Sequence, residues 1–272
     1  MKFEEYLETL PIRESTLRKY QNLFKNIPEK VLNSIDEINR FLAERSRKFN
    51  DSRLYYAVIK HYLTYKEKYD LIRKMRYPKN QRQIRIPNYY DLGTIFRILD
   101  NMEKENYRVA GYVQFFGGMR ASEVMRIKRK DVKLFKDYAI VIVRTAKREP
   151  YEVKIVGKGF EVLKSYLKKQ NFNSEALIFC SETRSASEEH KISTNIRYYQ
   201  KELKKAGYSL GYEITPHDLK RNLAKYLQEK GVSVEEIKEA LHHKNIETTL
   251  IYIGKVSTKR VEKALKNTLS SV

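Results

Sequence analysis

The chain has 272 residues, a length that accommodates two modest domains, each with its own core. Its 55 Lys and Arg against 34 Asp and Glu leave a net charge of +21, a field that draws polyanions and makes nucleic acid the leading expected partner. No apolar run approaches the roughly 20 residues of a membrane span, the first residues lack a signal-peptide core, and the single cysteine, Cys180, rules out an internal disulfide. The expectation is a soluble, cytoplasmic, nucleoid-associated protein, with no membrane partner and no Cys/His cluster at zinc spacing.

Residues 1–76 read as a bundle of about four helices. Leu17, Tyr20, Leu23, Phe24 and Ile27 recur at helical spacing after Ser15. Ser34 with Glu37 forms a capping box ahead of Ile35, Ile38, Phe41 and Leu42. A third helix carries Leu54, Val58 and Tyr62 and is expected to continue through Tyr69 to Ile72. Residues 77–86, rich in positive charge and preceding Pro87, form the expected linker, and residues 87–272 the second domain. There a helix over about 90–104 and another over 107–116 end at Gly117-Gly118. Short β segments at about 131–135, 138–144 and 151–156 follow, the last two flanking a basic turn, Thr145 to Pro150. A helix over 158–170, an extended piece at 176–180, a polar loop over 181–191 and a helix over 193–206 lead to Thr215-Pro216, which pairs a capping residue with proline at the first helical position. Ser233 and Glu236 cap a further helix reaching toward His243, and the chain closes with a helix over about 258–269. The fold class is therefore mainly α with a small antiparallel β-sheet, an α+β arrangement.

Four clusters along this order carry chemistry. Arg120 follows the double glycine; Lys147 sits in the basic turn; His217, Lys220 and Arg221 open a helix; and His243 precedes Tyr252 by nine residues. His217 lies three residues before Lys220 and four before Arg221, so all three can share a neighbourhood on the helix. A helix N-terminus with such side chains suits a phosphate.

In this order the clusters resemble the tyrosine recombinases, the integrase and Xer family. Gly118-Met119-Arg120-Ala121-Ser122-Glu123 fits the family's Gly-x-Arg-x-Ser-Glu, and Leu241-His242-His243, nine residues before Tyr252, fits its Leu-Gly-His box with His242 in place of glycine. His217-Asp218-Leu219-Lys220-Arg221 stands where members read His-x-Leu-Arg-His, so the second family arginine aligns with Lys220, and Arg221 is next door but rotated by about 100° on the helix. The resemblance implies a helical, SAM-like DNA-clamping domain at 1–76, whose Arg45, Arg47, Lys48, Arg53 and Lys60 as a group would track phosphates, and a catalytic domain at 87–272. It implies Tyr252 as nucleophile, Arg120 with Lys220 or Arg221 on the phosphate oxygens, His243 bonded to the phosphate, His217 assisting proton movement, and Lys147, with Arg148 in reserve, protonating the leaving hydroxyl. It further implies site-specific recombination of double-stranded DNA through a 3′-phosphotyrosyl intermediate and a Holliday junction. By the same resemblance no cofactor or metal is expected, and a homo-tetramer is expected to form on DNA through the C-terminal segment. Because Lys220 and His242 depart from the pattern, a DNA-binding protein of this fold with impaired catalysis is an alternative, as is nicking and resealing of the type IB topoisomerase kind.

Overall fold

The computed structural model describes residues 2–48, 51–78, 88–145, 148–181 and 187–253, and the chain divides into two compact units, Met1–Arg85 and Ile86–Val272. The division falls within the stretch expected to be the linker, of which 79–86 lie outside the described residues.

The first unit is helical: α1 (Phe3–Glu8), α2 (Glu14–Lys25), a 3-10 turn at Glu29–Asn33, α3 (Ile35–Lys48), α4 (Ser52–Tyr65) and α5 (Tyr69–Lys74). Ser34 Oγ accepts from Glu37 N at 3.2 Å, as the capping pattern predicts. Apolar stripes from these helices meet in one core around Leu7, Ile38, Leu42, Val58, Ile59 and Leu63. The expected continuous third helix is instead two. Glu67 takes a left-handed backbone (φ 54°), Glu67 N bonds Thr64 O and Lys68 N bonds Leu63 O, a Schellman stop that ends α4 and restarts the chain as α5. Periodicity alone could not show this, because the apolar residues on both sides keep helical spacing. Of the basic residues expected as a group to track phosphates, Arg45 bonds Asp51 Oδ2 and Tyr55 Oη, each at 2.8 Å, and lies over the Tyr55 ring.

The second unit begins with α6 (Leu92–Asp100), capped by Asp91, whose carboxylate accepts from Thr94 N. Helix α7 (Glu105–Phe116) is buried on nearly every side and is packed by α6, α9 (Gly157–Lys169), α10 (Glu188–Tyr208) and α11 (Pro216–Glu229), which makes it the axis of this core. After the short α8 (Ala121–Val124) comes a three-stranded antiparallel sheet, β1 (Val132–Leu134), β2 (Tyr138–Thr145) and β3 (Arg148–Val156), in the order β1-β2-β3. The last strand starts three residues earlier than its sequence suggests and includes Pro150, expected in the turn. β3 is an edge strand, and the register shifts between Val143 and Thr145, so a residue without an N–H is accommodated. Thr145 pairs with Arg148, leaving Ala146 and Lys147 between the strands and outside the described residues.

Helix α10 is longer than its apolar pattern: Ser187 Oγ caps it, accepting from His190 N, so Glu188 to Lys191 are helical rather than loop. The extended piece near 176–180 makes a single bridge, Lys128 with Leu177. Helices α12 (Val234–Ala240) and α13 (Ile246–Ile253) close the described chain; the expected terminal helix at 258–269 lies outside it. Among the described residues no helix is long and apolar enough to cross a membrane.

Candidate active site

Three chain turns and one helix meet at the N-terminal end of α11. The first turn follows α7. Gly118 has φ +57°, and a Cβ there would lie 2.5 Å from Ala240 O, so only glycine lets this turn pass against the end of α12. Two residues on, Arg120 N donates to Glu123 Oε2 at 2.7 Å and its guanidinium to Oε1 at 3.0 Å. Glu123 is buried, whereas the Arg120 side chain keeps 45% of its surface open, enough to meet a ligand.

The second turn is the start of α11. Thr215 N and Oγ1 both donate to Asp218 Oδ2, at 2.9 and 2.6 Å, and Pro216 takes the first helical position, which sets His217 in the first turn. The first two turns are tied together by Gln114, fully buried on α7. Its Nε2 donates to Pro216 O at 2.7 Å and to Met119 O at 3.2 Å, and its Oε1 accepts from Tyr199 Oη at 2.6 Å.

The third turn ends α12 as a Schellman motif: His242 N bonds Glu239 O, His243 N bonds Lys238 O, and His242 holds φ +53°. This is the position where the resembling pattern has glycine, and a left-handed backbone explains that preference. A histidine there carries a conformational cost of about 1–2 kcal/mol, partly offset by its ring packing on Tyr151 of β3, centroids 4.4 Å apart. Beyond it, His243 Nδ1 pairs with Thr249 Oγ1 at 3.0 Å, while its Nε2 is buried with no hydrogen-bond partner among the described atoms.

Tyr252 on α13 closes the cluster. Its hydroxyl is 2.7 Å from His217 Nε2, and its ring meets the imidazoles of His217 and His243 edge-on, centroids 5.2 and 4.7 Å away. The phenol donates to Nε2 when His217 carries its proton on Nδ1. The two neighbouring cations of α11 diverge. Lys220 is buried and its Nζ donates to Leu241 O at 2.6 Å, on the His243 side. Arg221 points to the other side, its guanidinium carbon 5.5 Å from the centre of the Tyr252 ring and its NH1 3.3 Å from Asp218 Oδ1. Arg221 Nε is buried without a hydrogen-bond partner among the described atoms.

Electrostatics ties the same groups together. Burial, then the charges of Lys220 and Arg120, hold His243 down at about 3. Burial and Arg221 lower His217, so both imidazoles are neutral and His217 can accept a proton at neutral pH. Burial raises the Tyr252 phenol, against the opposing pull of Arg221 and Arg120. Of the seven residues singled out from the sequence, Arg120, His217, Lys220, Arg221, His243 and Tyr252 thus gather in one place, and Lys147 lies outside the described residues. Among the described residues no three His, Cys, Asp or Glu side chains are grouped to hold a metal ion.

Sequence reasoning passed over Gln114, Thr249 and Tyr89, the last of which donates to Tyr252 O at 2.6 Å. Gln114 had a signal, a polar side chain inside the apolar run Val109 to Phe116. Thr249 and Tyr89 had none, since neither breaks a local pattern.

Comparison with known proteins gives the family and the fold. Residues 91–258 match the phage integrase family. Tyrosine recombinase XerA of Thermococcus kodakarensis is 28% identical over 270 residues, covering 96% of this chain and 92% of that protein. Among solved structures, XerH site-specific recombinase bound to palindromic difH substrate in a post-cleavage complex aligns with TM-score 0.64 at 18% identity, over 92% of this chain and 77% of that one. The Tn1549 transposon integrase in complex with a circular intermediate DNA aligns with TM-score 0.68 at 12% identity, over 98% of this chain and 99% of that one.

Proposed function

The chain belongs to the phage integrase family of tyrosine recombinases, and from that premise we propose that it cleaves and rejoins double-stranded DNA at specific sites through a covalent link to Tyr252. The observation that carries this reading is the Tyr252 hydroxyl, 2.7 Å from the Nε2 of a neutral His217 and surrounded by the charges of Arg120 and Arg221. The Tyr252 oxygen attacks phosphorus and forms the O–P bond, its proton passes to His217, and the bond from phosphorus to the 5′ oxygen breaks. A 3′-phosphotyrosyl link and a free 5′ hydroxyl result, and Lys147 is the group assigned to protonate that leaving oxygen. Attack by a partner strand's 5′ hydroxyl reverses the step. The phosphodiester energy is retained in the link, so no nucleotide is consumed.

The phenol of Tyr252 sits above its ordinary value because it is buried, and a phosphate does not by itself lower it. Arg120 and Arg221 stabilise the charge that develops on the non-bridging oxygens, and the orphan Nε2 of His243 is placed to donate to one of them once protonated on that nitrogen. Lys220 fills the family's arginine position by sequence and donates to Leu241 O beside His243, while Arg221, over the Tyr252 ring, adds a guanidinium on the nucleophile's side.

Four protomers bridging two DNA sites, joined through the C-terminal segment and passing through a Holliday junction, complete the proposed cycle, whether its outcome is integration, excision or dimer resolution. The helical first unit would bind the same duplex. The test uses a suicide-nicked duplex built on the sequence that the protein enriches from a random pool. A covalent protein–DNA adduct that disappears in Tyr252→Phe, with DNA binding kept, is the expected result. Binding with no adduct in the unsubstituted protein would identify a DNA-binding protein that has lost strand cleavage.

A further inference from the structure

We propose that Tyr89 is a positioning residue for strand cleavage, its hydroxyl fixing the main chain of Tyr252 so that the phenol stays in line with His217. This rests on Tyr252 being the nucleophile.

Tyr252 lies on α13, which packs against α11 and α12. Tyr89 Oη donates to the carbonyl of Tyr252 at 2.6 Å. Tyr89 is itself held from both sides. Asn222 Nδ2 donates to Asn88 O at 3.1 Å, and Tyr90 N donates to Asn222 Oδ1 at 2.5 Å. The same amide is anchored in its own helix, Nδ2 donating to Asp218 O at 2.8 Å. Residues 88 and 90 are secured a second time on the segment leading into α11, where Asn88 Nδ2 and Tyr90 Oη both donate to Glu213 O, at 3.1 and 2.9 Å.

Tyr252 is therefore referenced to α11 twice. His217 takes the hydroxyl end, and the path Asn222, residues 88–90, Tyr89 takes the carbonyl end. With both ends tied to one rigid helix, rotation of α13 about its own axis is resisted, and that rotation is the motion that would carry the phenol off the line of attack. Misplacement of a reacting atom by about 1 Å is worth on the order of a hundredfold in rate. Tyr89 contacts no reacting atom in this scheme, so its effect belongs on the cleavage step and not on DNA affinity.

The experiment compares full-length Tyr89→Phe, which keeps the ring and removes only the donor, with the unsubstituted protein. Three quantities are read: the single-turnover rate of adduct formation on the suicide-nicked duplex, the dissociation constant for that duplex, and amide hydrogen exchange along α13 in the free protein. The expected result is a rate lower by ~10–100-fold, affinity within about twofold, and faster exchange in α13. An unchanged cleavage rate overturns the proposal, and so does a loss of affinity that matches the loss of rate, which would make Tyr89 a DNA contact. If the unsubstituted protein forms no adduct at all, the nucleophile assignment fails. Exchange along α13 then still separates a real clamp, loosened in Tyr89→Phe, from a contact that holds nothing.

Discussion

The two units bury different kinds of side chain. The interior of the first is aliphatic and aromatic, with Ser52 the only buried polar residue found among its described residues. The second buries Gln114, Glu123, Asp131, Asn195, Asp218, Lys220, Asn222 and His243 alongside a larger apolar core. Apolar packing is non-directional and tolerates small shifts, whereas a buried amide or carboxylate holds its partners at fixed distance and is costly to leave unmade. Much of that polar material braces the turns that carry Arg120, His217, His243 and Tyr252: Gln114 on two of them, Asp218 and Asn222 on the start of α11, Lys220 on the Leu241 carbonyl. The first unit is built for cohesion and the second for placement.

Substitutions can break that contrast, beginning with the largest effect. Leu42→Ala, at a fully buried site of the first unit, should cost about 3–5 kcal/mol of that unit's stability. Calorimetry should report it, while adduct formation at saturating DNA keeps its rate; a slower chemical step would show that the two interiors are not separate in kind. Gln114→Leu nearly preserves volume but strands Pro216 O, Met119 O and the Tyr199 hydroxyl. It should cost about 2–3 kcal/mol and also slow cleavage, because Arg120 and His217 lose their common brace. Stability lost with the cleavage rate intact would remove Gln114 from any role in placement.

The smallest effect sharpens the comparison through pH. His243 is held near 3 in the folded protein and His217 below its ordinary value, both first by burial. Below about 6.5 the unfolded chain binds protons that these folded imidazoles refuse, so stability rises with pH and falls as pH drops from about 6.5 toward the lowered values. His61, lowered by burial and by Lys60, adds the same sign in the first unit. His243→Asn should therefore flatten the decline in melting temperature between pH 7 and 5 without abolishing it. The acid limb of kcat/KM for cleavage, which reports the free enzyme, should lie below about 6.5 if His217 takes the phenol proton. A limb at or above that value would assign the proton to another group.

Several of these features were legible in the chain itself. Capping pairs at Ser34 and Ser233, and Thr215 followed by Pro216, mark helix starts because such signals span at most four residues and need nothing distant. The Gly118 to Glu123 run and the nine-residue step from His243 to Tyr252 are also local, and comparison with the family rests on them. Two misreadings have the opposite origin. The break at Glu67 and the strand that includes Pro150 depend on backbone choices that leave the apolar spacing untouched.

What the sequence determined by itself is the inventory: two units, mostly helical, a basic surface, and the residue types a phosphate-handling phenol needs. Only the tertiary structure shows how those residues are arranged. Lys220 and Arg221 are adjacent in the chain, and which one faces Tyr252 depends on how α11 is rotated against α12 and α13. Likewise Gln114 and Tyr89 reach their partners across 102 and 163 positions. Such pairings arise from the packing of whole helices, and a pattern of neighbours a few residues apart does not encode the angle at which two helices meet.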